Sequence, residues 1–206
     1  MSSLELHSHD AVIFDCDGTL ADTMPLHHVA WKSAFAQHGA PFEFTWELLN
    51  RRAGMSLERT VEELNIEFGC RMSPTLVADS QRAEYMKIAH DVAPIQFVVD
   101  FARDVAKTKP IAVASGSNRA SVEDALRRIG LISLVQVIVT PSDVREGKPA
   151  PDMFLLAAHR LAVNPSRCLV IEDGELGLLA AARAKMDAFR VDRLGTVLWQ
   201  PCEREG

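Results

Sequence analysis

Apolar residues gather in short runs rich in Val and Ile: AVIFD at 11–15, PIAVA at 110–114, VQVIVT at 135–140, CLVIE at 168–172 and DAFRV at 187–191. These runs are nearly continuous rather than alternating, which suits strands covered on both faces. Between them the spacing changes to a helical period. Val122, Ala125, Leu126 and Ile129 share one face, and Gly130 follows as a stop. Strands alternating with helices predict an α/β fold, a Rossmann-like parallel sheet with right-handed crossovers.

Residues 22–92 break this alternation, because consecutive helical patterns occur there without a strand. One helix is predicted from Pro25 to His38, ending at Gly39. Another opens near Ser73, a good N-cap, with Pro74 at its first position. The pattern predicts a helical cap at 22–92 inserted after the first strand, and an α/β core from 1–21 and 93–206. Ligands of open α/β sheets bind beyond the carboxyl ends of the strands. An insert leaving the tip of the first strand would therefore roof that crevice as a lid.

The bulk properties narrow the function classes. The chain has 206 residues, 48% of them hydrophobic and 24% charged, an ordinary globular composition. A formal net charge of -6 without a basic run argues against nucleic-acid or anionic-membrane partners. No apolar run approaches the ~18 residues of a membrane span. The polar start MSSLELHSHD lacks the basic and apolar regions of an export signal, so a cytoplasmic protein is expected. Cys16, Cys70, Cys168 and Cys202 have no CxxC spacing and read as reduced thiols, Cys16 and Cys168 within strand-like runs.

The sharpest chemical feature is FDCDGTL at 14–20, which ends a buried strand with two carboxylates, Asp15 and Asp17. An Asp-Gly turn would account for Asp17 and Gly18 alone. A second buried carboxylate calls for a cation or a reaction, since desolvating an unpaired one costs several kcal/mol or more. Further polar groups close later strands: Ser115 after PIAVA, Lys148 in EGKPAPD after VQVIVT, and Glu172-Asp173 in CLVIED. Singly these read as a cap, a loop charge and a helix-start charge. Together they converge on one edge of the sheet.

In these four spaced motifs (DxDGT at 15–19, Ser115, Lys148 in KPxPD, and the acidic pair 172–173) the sequence resembles the haloacid dehalogenase superfamily of phosphotransferases. DTMPLHHVAW at 22–31 and EDGELGLLAAARA at 172–184 resemble its subgroup containing β-phosphoglucomutase and fructose-1-phosphate phosphatase. The resemblance implies Asp15 as nucleophile toward phosphorus and Asp17 as general acid and base. Lys148 and the Ser115 hydroxyl would act as electrostatic partners of the phosphoryl oxygens, with Gly116 and Ser117 at the substrate. It implies Mg2+, a hard ion suited to carboxylate oxygens, held by Asp15, Asp173 and the Asp17 carbonyl, with Glu172 either a ligand or one shell away. In the cap it implies His27 and Lys87 as substrate contacts, His27 also as a link between lid closure and Asp17.

Three departures refine this expectation. Leu57 stands in GMSLERT where the mutase carries arginine, and Arg59 lies two residues on. VAPIQFVVDF at 92–101 lacks a Pro-Gly pair, and Lys185 replaces a glycine at the last αβ turn. The first two favour a phosphatase of a small sugar phosphate, such as fructose 1-phosphate or 6-phosphogluconate, over a β-phosphoglucomutase-type isomerase, and a monomer is expected. A non-catalytic regulator would not need Asp15, Asp17, Lys148 and Asp173 intact, and a dehalogenase proper needs no metal.

Overall fold

The structure, a computed structural model, describes residues 8–192, 195 and 197–200; Cys202 lies outside them. Six strands form one sheet: β1 (Ala11–Phe14), β2 (Ile111–Ala114), β3 (Val137–Val139), β4 (Cys168–Glu172), β5 (Asp187–Val191) and β6 (Val197–Gln200). Their order is β3-β2-β1-β4-β5-β6. The first five are mutually parallel, and β6 runs antiparallel to β5 at the edge. The sequence analysis places no strand at β6, whose VLWQ sequence has no matching run elsewhere.

Strand residues alternate between two apolar layers, which accounts for their continuous hydrophobicity. Val12, Phe14, Ile111, Val113, Leu169 and Ile171 face one layer, shared with α5 (Gln96–Val105) and α6 (Arg119–Arg128). Ala11, Ile13, Ala112, Ala114, Cys168 and Val170 face the other, shared with α7 (Asp152–Arg160) and α8 (Glu175–Arg183). Covering both faces with helices is the condition under which parallel sheets occur.

Between β1 and α5 lie four helices: α1 (Met24–Gln37), α2 (Trp46–Asn50), α3 (Leu57–Phe68) and α4 (Pro74–Ile88). They bury an apolar cluster of their own, including Trp31, Phe35, Phe44, Leu49, Val61, Leu64 and Val77. The sequence supplies clear punctuation. Thr45, Ser56 and Ser73 each accept from a backbone N–H in the first turn of α2, α3 and α4, satisfying donors that a helix start leaves open. Among the described residues, no helix is long and apolar enough to cross a membrane.

Candidate active site

Four adjacent parallel strands deliver polar residues to one edge. Asp15 follows β1, Ser115 follows β2, Lys148 lies in the loop beyond β3, and Glu172 and Asp173 close β4. The Asp15 backbone N–H still donates to the Ile171 carbonyl at 2.9 Å, which fixes the carboxylate beside β4. Lys148 Nζ donates to Asp15 Oδ1 at 2.6 Å and to Glu172 Oε1 at 2.7 Å, with all three side chains buried. Glu172 Oε2 accepts from the Gly174 N–H at 2.7 Å, and Asp173 Oδ1 accepts from the Thr19 hydroxyl at 2.9 Å.

Asp17 is held separately. Its Oδ1 accepts from the Thr23 hydroxyl at 2.7 Å and lies 3.3 Å from His27 Nε2, while its Oδ2 accepts from the Ser115 hydroxyl at 3.0 Å. The Gln81 amide donates to His27 Nδ1 at 3.0 Å. That bond leaves the imidazole proton on Nε2, from which it donates to Asp17. His27 also stacks on Tyr85, the ring centroids 4.4 Å apart. Burial opposes ionisation of Asp17, but hydrogen bonds from His27, Thr23 and Ser117 outweigh it and hold the carboxyl well below the usual range. Thr23 and Gln81 escaped the sequence analysis; Thr23 lies within the DTMPLHHVAW segment, whereas Gln81 had no signal.

The opposite electrostatics hold at Asp15 and Asp173. Burial pushes Asp15 well above the ordinary carboxylate range, with Lys148 opposing and Glu172, Asp173 and Asp17 reinforcing. Burial, then the neighbouring Glu172, pushes Asp173 up to about 8. Buried carboxylates outnumber the one buried ammonium here, so further positive charge would stabilise the group. Oxygens of Asp15, Glu172 and Asp173 lie within 4.8 Å of one another, a hard, oxygen-only donor set suited to a divalent cation. The turn before Thr19 is shaped around this set. Gly18 has φ +88°, and a Cβ there would come 2.4 Å from Asp173 Oδ2, so glycine serves both the left-handed backbone and the close approach.

Above the carboxylates lies a cavity of about 50 Å³ with Asp15, Asp17, Gly116 and Ser117 on the sheet side. Its opposite wall comes from the inserted helices and the loop after α2, with His27, Trp31, Phe44, Leu49, Arg52 and Leu57 among the lining residues. The two sides meet closely: a Cβ on Gly116 would lie 2.4 Å from the Gly54 carbonyl oxygen. Leu57 thus contributes an apolar side chain, and Arg59, mostly exposed, pairs with Glu63.

Two expected substrate contacts have partners within the protein. Lys87 does not line this cavity; its side chain is 65% exposed and pairs with Glu84 on the same helix at 2.7 Å. It lies six residues beyond Gln81, about 120° around the helix, so the residue facing His27 is Gln81. Ser115, expected at phosphoryl oxygens, donates to Asp17 and accepts from the Ser117 N–H at 3.0 Å. Arg52 is the charged lining residue that the sequence analysis missed, because it sits in a charged NRRAG stretch that reads as an exposed turn.

Residues 9–185 match the haloacid dehalogenase-like hydrolase family. The chain is 34% identical over 182 residues to the fructose-1-phosphate phosphatase YqaB of Escherichia coli strain K12, an alignment spanning 87% of this chain and 95% of that one. It is 33% identical over 189 residues to the β-phosphoglucomutase of Bacillus subtilis strain 168, spanning 88% and 82%. Its fold matches the crystal structure of a hydrolase from Pseudomonas syringae with a TM-score of 0.80 at 28% identity, covering 87% and 83%. With this extent of similarity and this arrangement of carboxylates, the chain belongs to the haloacid dehalogenase-like hydrolases, as a phosphoric monoester hydrolase.

Proposed function

We propose that the protein is a Mg2+-dependent phosphatase of small sugar phosphates, of the fructose 1-phosphate or 6-phosphogluconate type, working through an aspartyl-phosphate on Asp15. The observation that carries this reading is the placement of Asp15, with Lys148 2.6 Å away, on the floor of a cavity that also exposes Asp17. Residues 22–92 would serve as a lid over a cytoplasmic, monomeric enzyme.

In the first half-reaction an Asp15 carboxylate oxygen attacks phosphorus while the ester oxygen departs and takes a proton from Asp17. In the second, Asp17 removes a proton from water, which attacks phosphorus and releases inorganic phosphate and free Asp15. A Mg2+ ion held by Asp15, Asp173 and the Asp17 carbonyl, with Glu172 direct or one shell away, would screen the anionic phosphoryl group from the carboxylate nucleophile. Lys148 supplies a fixed positive charge at the same place. Thr23, His27 and Ser115 favour ionised Asp17 in the free protein. An arriving phosphate ester adds negative charge next to it and so raises its proton affinity, which suits the acid role.

A β-phosphoglucomutase-type isomerase is the second reading, favoured by the similarity to the Bacillus subtilis enzyme; the apolar Leu57 in the cavity wall weighs against gripping a second phosphate. The deciding experiment incubates the protein and Asp15→Asn with Mg2+ and a panel of sugar phosphates, measuring free phosphate and isomerised sugar together. Phosphate release by the wild type alone, lost on chelation, is expected. Glucose 6-phosphate from β-glucose 1-phosphate with little free phosphate would replace phosphatase by mutase, and unimpaired turnover in Asp15→Asn would sink the nucleophile.

A further inference from the structure

Arg52 stands in the loop after α2 with its side chain only 7% exposed. Two of its nitrogens are committed. Nη1 donates to the Leu48 carbonyl at 3.2 Å, and Nη2 donates to Glu67, which also pairs with Arg51. Its Nε–H is buried and has no hydrogen-bond partner among the described residues. A buried donor left open is costly, about 1–3 kcal/mol in general, and native proteins keep few of them. This one belongs to a residue lining the same cavity as Asp15 and Asp17, where the neighbouring wall residues Phe44, Leu49 and Leu57 carry no side-chain donor.

We propose that Arg52 is the specificity-determining residue of the lid, its Nε–H donating to a hydroxyl or carbonyl oxygen on the organic part of the phosphate ester. The proposal rests on the phosphatase reading and deepens it by naming what the pocket asks of the substrate beyond phosphate. The guanidinium is already paired with the Glu67 carboxylate, which offsets its charge, so the open donor suits a neutral oxygen rather than a second phosphate. Sugar and polyol monophosphates fit this requirement. A site built to bond such an oxygen discriminates strongly against substrates that lack it, because the donor then stays unpaired.

The test compares fructose 1-phosphate with phenyl phosphate, whose organic group carries neither a hydroxyl nor a carbonyl oxygen. Arg52→Lys keeps a cation able to reach Glu67 but removes the guanidinium Nε–H; Arg51→Gln, outside this cavity, is the control. The ratio of kcat/KM for fructose 1-phosphate to that for phenyl phosphate is expected to fall at least about 10-fold in Arg52→Lys, mainly through KM, and to stay unchanged in Arg51→Gln. An unchanged ratio in Arg52→Lys, whether both rates persist or both fall together, overturns the proposal and leaves Arg52 as a structural bridge to Glu67. A wild-type protein inert toward every ester overturns the phosphatase reading and this proposal with it. An active wild type with an unchanged ratio overturns this proposal alone.

Discussion

Lys148 holds Asp15 and Glu172 at once, its Nζ 2.6 Å from one carboxylate and 2.7 Å from the other, joining the carboxyl ends of three different strands. Burial alone would lower the proton affinity of the amine, but Asp15 and then Glu172 outweigh it and keep the amine charged. Lys148→Met removes the charge while keeping most of the volume. The expected result is a loss of kcat of about 10²–10³-fold, the scale of removing one fixed electrostatic partner. Leaving two buried carboxylates without their cation should also cost about 3–5 kcal/mol, measured by urea unfolding without metal. Full activity in this variant would remove Lys148 from the chemistry.

Asp17 depends on the inserted helices as well as on the sheet, since Thr23 and His27 bond one oxygen and Ser115 the other. Thr23→Val deletes the shortest of these bonds at nearly constant shape. It should lower kcat about 10-fold with KM little changed, because the acid and base is misplaced and the phosphate contacts are not. Asp17→Asn should go further. Protonation of the leaving group and activation of water both fail, and intact-mass measurement after long incubation with an activated ester should reveal a slowly formed, persistent phosphoryl adduct. A variant that turns over normally and never accumulates the adduct would exclude Asp17 from both steps.

The oxygen cluster of Asp15, Glu172 and Asp173 leads to a metal prediction. A ligand that binds only the folded chain stabilises it by about 2.7 kcal/mol at a concentration 100 times its dissociation constant. Adding Mg2+ should therefore raise the midpoint of thermal unfolding, and Asp173→Asn should require at least about 10-fold more Mg2+ for the same shift. Equal shifts in both proteins would remove Asp173 from the ligand set.

The β1 carboxylates, Ser115, Lys148 and the acidic pair after β4 were legible because each follows a recognisable apolar run, and parallel sheets gather such positions at one edge. The inserted helices were legible from the missing strands and from caps such as Ser73. The parts that escaped depend on geometry that no local pattern encodes. Gln81 and Lys87 both read as polar helix positions, and only the rotation of α4 against α1 decides which meets His27. Arg52 reads as a surface charge, and only the fold of the loop after α2 buries it. The β6 strand is an edge, where the demand for continuous hydrophobicity is weakest.

Asp143 ties the loop that carries Lys148 to two helices. Its carboxylate accepts from the Thr140 N–H at 2.9 Å, from Arg119 at 3.0 Å and from Arg160 at 3.0 Å. Burial opposes ionisation, but these donors prevail and bring the carboxyl down to about 2 from 3.8. A group lowered in the folded state adds stability that is complete above its unfolded pKa and is lost as pH falls through the folded one. Both arginines are partly exposed, so solvent screening reduces the contribution to about 1–2 kcal/mol. Asp143→Asn should be destabilised by this amount at pH 7, with the gap to wild type closing between pH 4 and 2. Urea midpoints across that range check it; a gap independent of pH would mean that the carboxylate charge is not what stabilises the loop.

Lys185 ends α8 in the left-handed region, with φ +58°. Its N–H donates to the Ala182 carbonyl and the next residue's to the Ala181 carbonyl, both at 3.0 Å, so the turn that closes the helix requires this backbone shape. A side chain in that region costs about 1–3 kcal/mol, whereas glycine adopts it freely but loses more chain entropy on folding, about 0.5–1 kcal/mol. The difference favours glycine. Lys185→Gly should raise the unfolding free energy by about 0.5–1 kcal/mol, with kcat and KM unchanged, since the turn joins α8 to β5 at the end of the helix far from Glu172. Ala162, at φ +56° after α7, poses the same question with a smaller side chain. A Lys185→Gly protein no more stable than wild type would mean that contacts of the lysine side chain offset the backbone cost, and Lys185→Ala, which keeps the cost and removes those contacts, would then be the less stable of the two variants.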